Sequence, residues 1–102
     1  MKVLNQANFK ENISKGVVLV DMYADWCGPC RALSPLLEEL DGTVEGVEFT
    51  KLNVDEANAV ASEYGVMSIP TVIIFKDGIE FKRITGLYPK QAYIDALNEA
   101  KK

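Results

Sequence analysis

The chain has 102 residues, 48% of them hydrophobic and 25% charged, a composition expected of one soluble globular domain built on a single core rather than of a disordered or fibrous polymer. Fifteen acidic residues against eleven basic ones leave a net charge of -4, the wrong sign for a surface that tracks phosphates, which argues against nucleic acid as a partner. The longest apolar run, GVVLVDMYADW, is too short for a membrane span and carries two aspartates, and the opening MKVLNQANFK lacks the apolar stretch and small-residue cleavage site of a secretory signal, so a cytoplasmic protein is expected.

In chain order, NQANFKENI places Phe9 and Ile13 one turn apart and predicts a short amphipathic helix. VVLVDMYA, residues 17–24, is a nearly continuous β-branched and apolar run, the pattern of a central strand covered on both faces. From Pro29 onward Leu33, Leu36, Leu37 and Leu40 recur at helical spacing with Glu38 and Glu39 facing away, which predicts a helix packed on the sheet and kinked by Pro35. VEFTKLNV, residues 47–54, has strand propensity, and a third helix follows with Ala57, Val60, Ala61 and Tyr64 on one side and Gly65 as its stop. TVIIF, residues 71–75, reads as a buried strand that turns at KDG into IEFKRIT to make a hairpin. A last helix after Pro89 buries Tyr93, Ile94 and Leu97. Strand and helix alternating, then a hairpin and a helix, define a mixed sheet with helices on both faces.

The only two cysteines, Cys27 and Cys30, lie three positions apart in DWCGPC. A staple across so short a loop contributes only about 2 kcal/mol, and a core of this size does not need it. A structural zinc site takes four cysteine or histidine ligands, and the chain has no histidine, so only a site shared between two chains would serve. The same absence removes the usual base of a cysteine protease. As a redox pair the placement is apt: just after a buried strand and at the start of a helix, unpaired N–H groups and the helix dipole favour a thiolate at Cys27. Cys30, one turn on, can attack the mixed disulfide once it forms. Gly28 would let the backbone turn tightly, and Pro29 fixes φ where an N–H is not needed.

WCGPC occurs together with Asp21 inside the central strand, Pro35 in the following helix, KLNVD at 51–55, SIPT at 68–71 and TG at 85–86. In that combination and order the chain resembles the thioredoxin family over nearly its whole length. Tyr23 and Arg31 stand where the family more often has tryptophan and lysine. The resemblance implies an α/β thioredoxin fold: one domain, residues 1–102, with a central mixed β-sheet of about five strands flanked by about four helices in three layers. It implies that Cys27 is an exposed nucleophile and Cys30 a buried resolving thiol.

Asp21 interrupts an apolar strand, and desolvation should raise its carboxyl into the range where it can deprotonate Cys30; the alternative is a hydrogen-bonded core aspartate with no kinetic role. Lys51 either modulates that titration or lies along the sheet with its amine in water. By resemblance the Ile69–Pro70 peptide is cis and leaves nearby backbone free to pair with an extended substrate. Trp26, Gly28, Pro29, Ile69, Pro70, Gly86 and Leu87 would line an apolar docking area, with ordinary core packing as the alternative for Trp26 and Leu87. The implied function is a monomeric general protein-disulfide reductase with no bound cofactor, acting on disulfide-containing proteins and re-reduced by a thioredoxin reductase drawing on NADPH or ferredoxin. Two rivals remain: an oxidase or isomerase on the same fold, and a thioredoxin-fold binding or chaperone module with incidental thiols.

Overall fold

The computed structural model describes all 102 residues, in the order β1 (Lys2–Leu4), α1 (Phe9–Asn12), β2 (Val17–Tyr23), α2 (Gly28–Asp41), β3 (Val47–Asn53), α3 (Asn58–Glu63), β4 (Thr71–Lys76), β5 (Ile79–Thr85) and α4 (Lys90–Ala100). The strands form one sheet ordered β1-β3-β2-β4-β5. β1 and β2 run parallel to β3, while β4 runs antiparallel to both β2 and β5. The mixed five-stranded sheet with helices on both faces is the architecture expected.

Why β2 takes the centre follows from its side chains. Successive residues of a strand point to opposite faces, so a strand covered on both sides must be apolar at odd and even positions alike. Val18, Val20 and Met22 pack with Leu52, Ile73 and Phe75 against Phe9, Ile13, Ala57 and Val60 of the α1 and α3 layer. Leu19 packs with Phe49, Val72 and Ile74 against Leu33, Leu37 and Leu40 of α2 and Tyr93, Ala96 and Leu97 of α4. Asp21 shares the parity of Leu19 and therefore enters the α2 side. Leu37 is fully buried in this second layer; Leu37→Ala should lower unfolding free energy by about 2–5 kcal/mol in urea titration, and a loss under about 0.5 kcal/mol would show that α2 does not depend on that contact.

Three local expectations are met, and one strand was not foreseen. The hairpin turn places both Asp77 and Gly78 at positive φ, 51° and 85°, the geometry that matches the twist of the flanking strands. α3 ends with Gly65 at φ 64°, and Phe9 and Ile13 are both buried. β1 was not foreseen: three residues carry no periodicity, and the strand is defined by long-range pairing of Lys2, Val3 and Leu4 with Thr50, Lys51 and Leu52. α2 is one fourteen-residue helix that contains Pro35, with the proline on its exposed side. No helix is long and apolar enough to cross a membrane.

Candidate active site

Central strand β2 delivers the chain to one end of the sheet, and Ala24, Asp25 and Trp26 lead directly into α2. Cys27 is the N-cap of that helix, with extended backbone at φ -87° and ψ 112°. Its sulfur accepts the N–H of Cys30 at 3.2 Å, filling the place a serine or aspartate oxygen takes at most helix starts. That donor and the dipole of a fourteen-residue helix both stabilise negative charge on this sulfur when the pair is reduced. In the structure Cys27 and Cys30 are joined as a disulfide with Cα atoms 5.2 Å apart. The pairing fits a redox couple.

Two readings of the motif change. Cys27 is not the exposed residue expected: it is 4% exposed and Cys30 3%, so in the oxidised form both are nearly covered. The cause is packing, since the pair clusters with Ala24 against Tyr23, Val54 and Ile69. Gly28, in turn, has no positive φ, and a Cβ there would meet nothing within 4 Å. Its value is a surface left clear beside the sulfurs rather than a tight turn.

Asp21 lies beneath. It is 1% exposed, and its Oδ1 has no hydrogen-bond partner within the protein. Burial pushes its carboxyl up to about 7, with the Lys51 ammonium pulling the other way. The register sets that pairing: Asp21 stands opposite Lys51 across the parallel β2/β3 ladder, and the two side chains share a face. Asp21, Lys51 and Cys30 line one cavity of about 160 Å³ together with Tyr23, Ala24, Asp25, Arg31 and Ser34. That volume admits water, which gives the carboxyl a route to the inner sulfur. The Lys51 ammonium is 5.6 Å from the Tyr23 ring centroid and makes no direct ion pair with Asp21.

On the outer side, the Ile69–Pro70 peptide is cis, as the resemblance implied. The Ile69 carbonyl oxygen lies 3.8 Å from the Cys27 sulfur. Neither the N–H nor the C=O of Ile69 has a main-chain partner, which leaves both for an incoming strand. Gly86, at φ 99°, donates its N–H to the Pro70 carbonyl at 2.8 Å, so its own donor is engaged in holding the proline loop against the end of β5. Trp26 is 69% exposed and Leu87 about half exposed, which excludes core packing for either.

Sequence reasoning missed three participants. Asp55 accepts the Trp26 indole N–H at 2.8 Å and fixes that ring; it stands in the KLNVD segment, where its acidity was visible but its partner was not. Arg31 donates to the Asp25 carbonyl at 2.8 Å, tying the first turn of α2 to the loop before it. Met67, fully in solvent beside Trp26, gave no signal at all.

A disulfide from the N-cap to the first turn of a sheet-packed helix, with a carboxyl under it that has no partner within the protein, defines a thiol–disulfide oxidoreductase. Comparison with known proteins agrees throughout. The thioredoxin family profile matches residues 1–99. A thioredoxin from Chlamydia caviae is 46% identical over 99 residues, covering 97% of each chain. Among solved structures, a thioredoxin variant from Halobacterium salinarum superposes with a TM-score of 0.92 at 36% identity, covering 99% of this chain and 90% of the other. Oxidised mitochondrial thioredoxin 3 from Saccharomyces cerevisiae gives 0.88 at 32% identity over 97% and 94%. The chain belongs to the thioredoxin family, and its activity is protein-disulfide reduction through a redox-active Cys27–Cys30 pair.

Proposed function

We propose that the protein is a general reductant of protein disulfides that works as a monomer in the cytoplasm, without a bound cofactor, and is recharged by a separate thioredoxin reductase. The observation that carries this reading is the Cys27–Cys30 disulfide capping α2 directly above the cavity that holds the free oxygen of Asp21. The Cys27 thiolate attacks one sulfur of a substrate disulfide, expels the other as a thiolate, and forms a mixed disulfide. Cys30 gives its proton to Asp21, directly or through a water in the cavity, and attacks the Cys27 sulfur, which expels the second substrate thiolate. Two electrons pass to the substrate, whose thiolates take up the two protons that Cys27 and Cys30 gave up. Lys51 tunes the proton acceptor from across the ladder, and Gly28 and Pro29 set the approach and the helix start.

Substrate is held by main chain pairing at Ile69, beside the cis proline and flanked by Trp26 and Gly86, so sequence around the target disulfide matters less than an extended backbone. The test is insulin reduction coupled to NADPH oxidation through thioredoxin reductase. The native chain should turn over continuously and the double variant Cys27→Ser, Cys30→Ser not at all. A folded native chain with no turnover would identify a binding module instead.

A further inference from the structure

The disulfide is flanked on one side by a groove of about 380 Å³ lined by Trp26, Val54, Val66, Met67, Ser68 and Ile69. Two of its walls adjoin the reacting sulfur: Trp26 precedes Cys27 in the chain, and the Ile69 carbonyl faces it at 3.8 Å. Trp26 is fixed by its bond to Asp55. Met67 is not fixed. It is 96% exposed, more than any other large apolar side chain of the protein, on the loop between the Gly65 turn and the cis proline. Exposing an apolar side chain so fully stabilises nothing in the isolated domain, whereas an unbranched thioether on the rim of a docking groove can repack around varied partners.

We propose that Met67 is a specificity-determining contact of this reductase and a site of oxidative modification: its thioether favours substrates with apolar residues beside the disulfide, and sulfoxidation weakens their docking. The proposal rests on the reductase reading above and names what that site prefers and how it is regulated. The chemistry is a two-electron oxygen transfer. A peroxide's O–O bond breaks, one oxygen is delivered to the Met67 sulfur as a sulfoxide, and the peroxide is reduced to water or an alcohol. Met22 is fully buried and Met1 partly so, which makes Met67 the first thioether a peroxide meets. While Cys27 and Cys30 are paired as a disulfide, neither offers a thiolate to the same oxidant.

The test treats the disulfide form with hydrogen peroxide, removes the oxidant, locates the added oxygen by peptide mass spectrometry, then reduces the pair and measures turnover of two synthetic disulfide peptides, one flanked by apolar residues and one by polar residues. Oxidation should fall on Met67 first and lower kcat/KM for the apolar peptide about five-fold, through KM, while leaving the polar peptide within about two-fold. Met67→Gln should reproduce that selective loss without peroxide, and Met67→Leu should show no peroxide-dependent change relative to its own untreated rate. Equal kcat/KM for the apolar peptide before and after sulfoxidation, or oxidation of Met22 ahead of Met67, overturns the proposal and leaves the reductase reading intact. Failure of the untreated native chain to reduce either peptide overturns both.

Discussion

Serine at position 27 should lower disulfide reduction by at least about 1,000-fold, because it removes the sulfur that makes the first bond. Serine at position 30 should remove turnover as completely but by a different route. The first attack still occurs, the second sulfur is missing, and substrate stays attached at Cys27. The two variants therefore separate on a non-reducing gel: Cys30→Ser should accumulate covalent adducts that dissolve in dithiothreitol, and Cys27→Ser should not. Adducts on both in equal amount would mean that either sulfur can lead. That result would contradict the asymmetry built into the helix start, where the Cys30 N–H is directed at Cys27 and Cys30 borders the Asp21 cavity.

Asp21→Asn should stabilise the oxidised protein at alkaline pH and slow its chemistry. In the fold the carboxyl stays protonated to about pH 7, while in the unfolded chain it ionises near its ordinary value. Below about pH 4 it is neutral in both states, and its contribution to stability is fully present. As pH rises from 4 to 7 the unfolded chain releases its proton first, and the fold loses stability progressively, reaching about 4 kcal/mol above pH 7. Urea unfolding at pH 3.5 should therefore find native and Asp21→Asn within about 0.5 kcal/mol apart from the isosteric swap itself, and at pH 8.5 the variant should be more stable by roughly 2–4 kcal/mol. A difference independent of pH would remove burial of charge as its cause. Resolution of a Cys27 mixed disulfide should in addition lose its rise between pH 6 and 8 in the variant; a profile identical to the native one would deny Asp21 the role of proton acceptor.

Much of this was legible beforehand, and the physical reasons divide cleanly by range. β2 and α2 were readable because each carries its own period, continuous apolarity in one and leucines at three and four residues in the other. Asp21 was readable because a carboxyl inside an apolar strand contradicts that period. Lys51 as its neighbour needed the β2/β3 register, which the KLNVD resemblance suggested and pairing with Asp21 realised. What escaped depends on contacts between distant residues. β1 exists only through β3, Asp55 matters only through Trp26, and the covering of Cys27 comes from Tyr23, Val54 and Ile69 on three separate segments. The assignment of a tight turn to Gly28 failed for the opposite reason: a local rule was applied where the helix had already begun.

The position of β2 between β3 and β4 has a further consequence. Both of its edges are hydrogen-bonded and both of its faces are covered, so the carboxyl-bearing floor of the redox centre cannot loosen by fraying from a margin of the domain. The strand that carries Asp21 can leave the sheet only by parting two ladders at once, a parallel one to β3 and an antiparallel one to β4.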